Sequence, residues 1–236
     1  MADNVADFGG VVYSELSSQL SIDGGSSVSK NIAGYGGVVY AQESLIEVNG
    51  ASSLDNNFSP SGSGGVVLAL LHSKIHVSGK GIVFDNMALI GNGGVALSLG
   101  ISELLVEQGS SVHNNSAQGF GAVMAGARVR LQVSNNSEVY GNFVSGYGGV
   151  AAVTNCTAHD SIQCSTCDKD LTNVALVLID GSSSVSGNSA GISGGVLFTS
   201  SAAQVQVTDG SVMHRNAAQS DGGVGGSANY CLTQSD

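Results

Sequence analysis

The sequence has no tryptophan, a single proline and few charged residues, and each shortage excludes a class of protein. Proline occurs once in 236 residues, whereas a collagen needs much proline and glycine at every third position. Charged residues make up 11%, far fewer than a coiled coil carries. Hydrophobic residues make up 42%, too many for a disordered acidic tail. The composition favours an ordered chain, and its 35 glycines favour many tight turns.

Basic residues and long apolar runs are also scarce. Lys and Arg total 7 against 18 Asp and Glu, which gives a net charge of −11. Nucleic-acid binding needs clustered basic residues, so we predict no nucleic-acid partner. No apolar run approaches the roughly 20 residues of a membrane span, so we predict no membrane span. The first residues, MADNVADFGG, lack the pattern of a signal peptide, as expected of a cytosolic protein or an excised fragment.

What the sequence does contain is a repeat. A Gly-Gly-Val element recurs at intervals of 27, 28, 29, 28, 27, 46 and 28 residues, with Gly-Ala-Val in one copy. The copies begin at Gly9, Gly36, Gly64, Gly93, Gly121, Gly148, Gly194 and Gly222. The one long interval contains the cysteine-rich stretch 155–173, which indicates an insertion in one repeat.

Two further elements complete each unit. An asparagine precedes each glycine pair by five to seven residues: Asn4, Asn31, Asn57, Asn86, Asn115, Asn142, Asn188 and Asn216. Between the glycine pair and the asparagine lie alternating segments such as Ile46-Glu-Val48, and this period of two is typical of a strand. An apolar residue stands three positions before most of the asparagines, as Val83 does before Asn86. Each unit therefore contains three short strands separated by turns.

Three strands in about 28 residues predict one coil of a right-handed parallel β-helix. Stacked coils bury a continuous core that one coil cannot bury alone. We therefore predict an all-β fold of about eight coils, with residues 1–236 as a single domain that is a fragment of a longer array. Parallel stacking places like residues on like. The asparagines from Asn31 to Asn216 should then form an internal ladder, in which each amide donates to the next coil and accepts from the previous one.

The alternation of Gly-Gly-apolar with apolar-x-x-Asn resembles the repeat of the polymorphic outer membrane protein family, known from chlamydial surface proteins and algal relatives. The resemblance covers nearly the whole chain except the insertion. In the bacterial signature alanine follows the glycines and phenylalanine begins Phe-x-x-Asn. Here valine follows the glycines, as at Val38, and valine or leucine replaces phenylalanine, as at Leu54. The resemblance implies a diverged, algal-type β-helix displayed at a surface, often in adhesion, and it does not imply an enzyme.

The insertion contains three of the four cysteines. They are Cys156, Cys164, Cys167 and, near the end of the chain, Cys231. A disulfide-stapled loop is favoured over a zinc site made with His159. Cys156 and Cys231 are predicted at the same bend two coils apart, about 10 Å by the stacking rise, which exceeds the roughly 7 Å that a disulfide spans. We therefore expect Cys164 or Cys167 to bond Cys231.

Four N-x-S/T sequons accompany the cysteines, and together they favour a secretory origin with the signal peptide outside this sequence. Asn114, Asn135 and Asn155 are the glycosylation candidates. Asn57 also heads a sequon, but it belongs to the internal ladder and should stay unmodified.

The acidic residues provide the catalytic alternative. Polysaccharide-active β-helices need two or three carboxylates on one face, and the nearest approach is Asp23, Asp180, Asp209 and the pair Glu47 and His76. Because Asp before Gly-Ser also suits turns, we assign no catalytic residue, metal ligand or cofactor. The histidines occupy different registers and favour exposed or turn positions.

A last candidate is an apolar stripe at the position after each invariant valine. Its members are Val12, Val39, Val67, Ala96, Met124, Ala151 and Leu197. If the valine points inward, this column points outward and offers a partner surface; alternatively, a neighbouring segment covers it. An ice-binding surface is typically a flat Thr-x-Thr array, and the sequence has none.

The sequence thus predicts a non-catalytic structural or adhesion module, extracellular or at the cell surface, with a protein or glycan partner. The alternatives are a polysaccharide lyase or hydrolase, and an ice-binding or assembly surface. Oligomeric state and ligand identity stay open.

Overall fold

The computed structural model describes residues 1–153, 175–199, 203–223, 225–226 and 230–234. These residues form strands and turns that stack into a parallel β-helix of about seven turns, which confirms the predicted fold class. Every strand pair is parallel, and residues in equivalent positions of successive repeats are partners, as Val83 is to Val112. No helix in the described part of the chain is long and apolar enough to cross a membrane.

Each coil contributes to three sheets in chain order. The first sheet has twelve strands: β2 (Val12–Tyr13), β3 (Ser17–Ile22), β6 (Val39–Val48), β9 (Val67–Val77), β12 (Ala96–Val106), β15 (Met124–Val133), β18 (Ala151–Val153), β19 (Ala175–Ile179), β22 (Leu197–Thr199), β23 (Ala203–Val207), β26 (Gly225–Gly226) and β27 (Tyr230–Gln234).

The second sheet has seven strands of three residues: β4 (Ser27–Ser29), β7 (Ser53–Asp55), β10 (Ile82–Phe84), β13 (Ser111–His113), β16 (Glu138–Tyr140), β20 (Ser184–Ser186) and β24 (Val212–His214). The third sheet has eight strands: β1 (Val5–Phe8), β5 (Ile32–Tyr35), β8 (Phe58–Ser59), β11 (Met87–Ala88), β14 (Ser116–Ala117), β17 (Phe143–Val144), β21 (Ser189–Ala190) and β25 (Ala217–Ala218).

The core lies inside the coil and is made mainly of valine. Alternation in the first sheet directs Ile46 and Val48 inward, and the second sheet adds Leu54 and its equivalents. The third sheet contributes small residues such as Ala88 and Ala117, which form a separate buried cluster. Like residues stack on like, so each buried side chain meets a partner of similar shape, which favours close packing.

The predicted apolar stripe is wrong, because its members are buried rather than exposed. Val39 and Met124 are each 1% exposed, and only Val12, in the first coil, is half-buried. The amide groups of Val38 and Val39 both donate to the carbonyl of Val66, at 2.9 and 2.8 Å. The chain therefore bends between the two valines, both side chains face the core, and alternation begins only after the second.

The predicted asparagine ladder runs through the second bend of every described coil. Each side-chain Nδ2 donates to the Oδ1 of the next asparagine, at 2.7–3.0 Å from Asn4 to Asn216. Asn31, Asn57, Asn86, Asn115, Asn142 and Asn188 are fully buried. Each Oδ1 also accepts from the previous asparagine's backbone amide, as that of Asn86 does from Asn57 at 3.0 Å. The ladder thus satisfies the polar groups that the bend buries.

The cysteine-rich insertion interrupts one first-sheet strand. β18 pairs with the first part of β15, and β19 pairs with its last part, so pairing with the same neighbouring strand resumes after the insertion. Residues 154–174 lie outside the described residues, and Cys156, Cys164, Cys167 and Asn155 lie among them. Cys231 was predicted at a bend, but its backbone lies within β27, level with Gln204. The disulfide prediction is untested.

Candidate binding groove

A groove of about 400 Å³ opens on the outer face of the first sheet. Strands β3, β6, β9 and β12 supply its lining, so it crosses four coils. Its lining residues are Ser17, Ser18, Glu43, Ser44, Leu45, His72, Ser73, Lys74, Ile101 and Glu103.

Local strand irregularity positions the groove. The register shifts between Ala41 and Glu43 in β6 and between Ser98 and Ile101 in β12. A bulge of this kind bends a strand and redirects the side chains beside it. Beyond the shift, parallel pairing places Glu43 level with His72, and Lys74 level with Glu103. Two outward columns with charged residues therefore flank the groove.

Acidic and basic side chains face each other across adjacent coils. Glu43 Oε1 lies 3.6 Å from His72 Nδ1, and Ser17 Oγ donates to Glu43 Oε2 at 3.1 Å. Glu103 lies 3.5 Å from Lys74 Nζ and 3.6 Å from Arg130. The Glu43 side chain is 49% exposed and the Glu103 side chain 24% exposed. These carboxylates lie beside neighbouring basic side chains and still face the solvent.

Beneath the groove, the inward column consists of serine instead of the usual aliphatic residues. Ser73 and Ser102 hydroxyls lie 3.2 Å apart, and Ser102 Oγ donates to the carbonyl of Ala125 at 2.9 Å. Ser44 Oγ is buried without a hydrogen-bond partner among the described residues.

No family model, curated protein or solved structure matches this chain. Within the described residues, no group of three or more His, Cys, Asp or Glu side chains has the arrangement of a metal site.

The acidic residues singled out from the sequence do not converge. Glu47 lies level with His76, but His76 Nε2 bonds Glu107 at 2.8 Å, and Glu47 accepts from Gln19 at 3.1 Å. Asp23 is exposed and accepts from the amide of Gly24 in its own turn. These carboxylates therefore serve local structure.

Asp180 and Asp209 are neighbours, but one position out of the predicted register. Ser182 donates its amide to the Asp209 carbonyl at 3.0 Å, so Asp209 stands beside the turn that follows Asp180. Burial raises the pKa of Asp180, and the nearby negative charge of Asp209 raises it further. Asp180 directly follows β19 and Asp209 lies two residues after β23, whereas the groove residues lie on β3, β6, β9 and β12.

An exposed apolar column exists in the third sheet, where the sequence reasoning did not place one. Ile32, Phe58 and Met87 are partners in successive strands, and Phe143, which is 48% exposed, follows them beyond Ser116. Each of these residues directly follows a ladder asparagine. The ladder asparagine points inward, so the next side chain points outward, and this signal was present in the sequence.

The asparagines of the described sequons differ in exposure. Asn114 and Asn135 are exposed in turns with φ of 55°, and they stay candidates for modification. Asn57 is fully buried within the ladder, where an attached glycan has no room. Glycosylation of these asparagines stays a prediction.

A stack of rings covers part of the second sheet. His113 lies between Phe84 and Tyr140, with ring centroids 5.3 and 4.7 Å apart and planes within 15°. Its Nδ1 is buried without a hydrogen-bond partner among the described residues. Burial lowers the pKa of His113, and the carboxylates of Asp85 and Glu138 oppose this shift only in part.

We expect His113→Phe to reduce the pH dependence of stability. The pKa of His113 is lower in the folded state than the unfolded value near 6.5, so its contribution is complete above pH 6.5 and is lost as pH falls through the folded pKa. Phenylalanine keeps the stack and removes the titration. Urea unfolding at pH 7.5 and 5.5 should show a smaller loss of unfolding free energy in the variant. An equal loss in both proteins would contradict this assignment.

Proposed function

We propose that the chain is a non-catalytic structural or adhesion module, displayed outside the cell or at its surface, that presents outward columns along a rigid β-helix. The observation that supports this most is the unbroken asparagine ladder from Asn4 to Asn216. It fixes every coil at the bend, so that outer side chains repeat at about 4.8 Å. A regular, fixed array suits multivalent contact with an extended partner.

The resemblance of the repeat to the polymorphic outer membrane protein family adds support, because surface display and adhesion are what that resemblance implies. The sequons at Asn114 and Asn135 agree with passage through a secretory pathway, since both side chains are exposed. The net charge of −11 argues for a partner other than nucleic acid.

Surface labelling tests this proposal. Antibodies against the folded chain should label intact cells of the source organism, and beads coated with the chain should attach to a cell-wall or matrix preparation from it. Beads coated with the heat-unfolded chain are the control. Labelling that requires permeabilised cells, or equal attachment of folded and unfolded chain, would contradict the proposal.

A carbohydrate-active enzyme is the second candidate, because Glu43 and Glu103 share one groove. Their strands are two spacings apart, about 10 Å, and Glu103 lies two residues further along the strand than the level of Glu43, which places the two backbones about 12 Å apart. Both side chains would have to reach toward each other to match the roughly 6.5–9.5 Å between the carboxyl groups of inverting glycosidases. Against this, each carboxylate faces solvent and lies beside a basic side chain, His72 for Glu43 and Lys74 for Glu103, whereas a general acid needs an environment that keeps it protonated. Release of new reducing ends from a neutral polysaccharide, abolished by Glu103→Gln, would favour the enzyme.

A further inference from the structure

We propose that the groove binds a neutral oligosaccharide chain that lies across the strands. This inference rests on the proposed adhesion role and names the class of ligand. The lining runs from Ser17 on β3 to Ile101 on β12, which is three strand spacings or about 14 Å. Such a length accommodates a short run of sugar rings parallel to the axis of the β-helix.

The backbone around the groove leaves recognition to side chains. β6 pairs with β3 and β9, and β9 pairs with β6 and β12, so both edges of each central strand are occupied. A peptide binds a sheet most readily by adding a strand to a free edge, and the groove lies on the face instead. Its ligand must therefore be recognised through outward side chains, as the hydroxyl groups of a sugar can be.

The charges favour a ligand without net charge. Glu43 and Glu103 line the groove beside His72 and Lys74, so both signs occur within a few ångströms. A polyanion would approach two carboxylates on a chain of net charge −11, and a polycation would approach Lys74 and the adjacent Arg130. A neutral polyol meets neither repulsion.

The carboxylates retain hydrogen-bonding capacity for such a ligand. Their ion pairs measure 3.5–3.6 Å, longer than the roughly 2.7–2.9 Å of a charge-assisted hydrogen bond. The basic side chains thus lie beside Glu43 and Glu103 without occupying their lone pairs at close range. Each carboxylate keeps lone pairs that can accept from sugar hydroxyls, with Glu43 Oε2 also accepting from Ser17 at 3.1 Å, while Lys74 supplies donors for sugar oxygens.

Aliphatic side chains complete the site. Leu45 and Ile101 are half-buried and line the groove between the charged residues. A pyranose ring has an apolar face of C–H groups, and burying that face against aliphatic carbon is favourable. Hydroxyls at the ring edge would then point toward Glu43 and Glu103.

Calorimetry on the full chain tests the proposal with defined probes. The neutral probes are cellohexaose, laminarihexaose and mannohexaose, and the acidic comparator is hexagalacturonic acid. At least one neutral hexamer should bind, and Glu43→Ala and Glu103→Ala should each weaken binding on the order of tenfold. The matched control, Glu47→Ala, removes an outward carboxylate from the same strand as Glu43 but outside the groove, and should leave affinity unchanged.

Circular dichroism must show that the three variants fold, which their exposed or half-exposed positions favour. Absence of binding to every neutral hexamer, binding to the acidic hexamer alone, or equal affinity in Glu43→Ala, Glu103→Ala and wild type would overturn the inference. Selection of an extended peptide from a displayed library through the same residues would also overturn it. If the coated beads still attach when both groove variants are used, the adhesion proposal stands and only the glycan assignment fails.

Discussion

Asn86→Leu should destabilise the protein by about 3–5 kcal/mol, a large share of a typical total of about 5–15 kcal/mol. The Asn86 side chain accepts from the amide and Nδ2 of Asn57 and donates to the carbonyl of Leu54 and to Asn115 Oδ1, all at 2.9–3.0 Å. Leucine has similar volume but no polar atoms. At least two buried groups then lose a partner, and each such loss costs about 1–3 kcal/mol.

Position within the ladder supplies the control. Asn4 is exposed, and it donates to Asn31 without being bracketed by two buried asparagines. Asn4→Leu should therefore cost no more than about 1 kcal/mol. Urea unfolding followed by far-ultraviolet circular dichroism measures both variants. Equal losses at the two positions would mean that the ladder stabilises through packing rather than through hydrogen bonds.

The ladder was predictable from sequence because its members repeat. One residue type recurs at one place in every unit, and parallel stacking then leaves a single arrangement that satisfies the buried amides. The same reasoning predicted the core positions around Ile46, Ile75 and Leu131, which alternate along their strands and are buried.

The groove was not predictable in this way because its residues differ from coil to coil. The outward column contains Glu43, His72 and Ile101 in successive strands, so no repeat marks it. Only correct register, including the shift after Ala41, brings these side chains together. Aligning the repeats strand by strand would have placed Glu43 beside His72, but the bend that opens the groove depends on backbone geometry.

The prediction of an outward apolar stripe is wrong for a related physical reason. That prediction rests on strict alternation of inward and outward side chains from Val38 onward, whereas the bend directs both Val38 and Val39 inward. A pair of successive apolar residues after two glycines is a signal of such a bend, because the glycines permit a backbone conformation from which alternation restarts.

Gly64→Ala should be about as damaging as the ladder variant, at about 3 kcal/mol or more. Gly64 has φ of +70°, and a Cβ there would lie 2.0 Å from the carbonyl oxygen of Val67. That oxygen belongs to the backbone of β9, which is held on both sides by parallel strands. Relief would require shifting a strand whose side chains fill the core, and overpacking of this kind costs about 1–3 kcal/mol beyond the backbone strain.

Gly24→Ala separates the cost of a positive φ from the cost of a steric contact. Gly24 has φ of +66°, nearly that of Gly64, but a Cβ there meets nothing within 4 Å. Its cost should be only the left-handed penalty of about 1–2 kcal/mol. Thermal and urea unfolding of both variants against wild type measure the difference. Equal costs would assign the requirement for glycine at Gly64 to φ alone.

The repeat itself shows how the two glycine positions differ. The first glycine of the pair has positive φ in all eight copies, Gly9, Gly36, Gly64, Gly93, Gly121, Gly148, Gly194 and Gly222. The second glycine has no positive φ, yet a Cβ at Gly37, Gly65 or Gly94 would lie 2.1–2.2 Å from a backbone carbonyl oxygen of the next coil. One copy accommodates a side chain at this position, the fully buried Ala122. A close carbonyl therefore opposes a Cβ at both positions, and at the first position the positive φ opposes it as well. Gly64→Ala tests the more restrictive half of the motif that defines each coil.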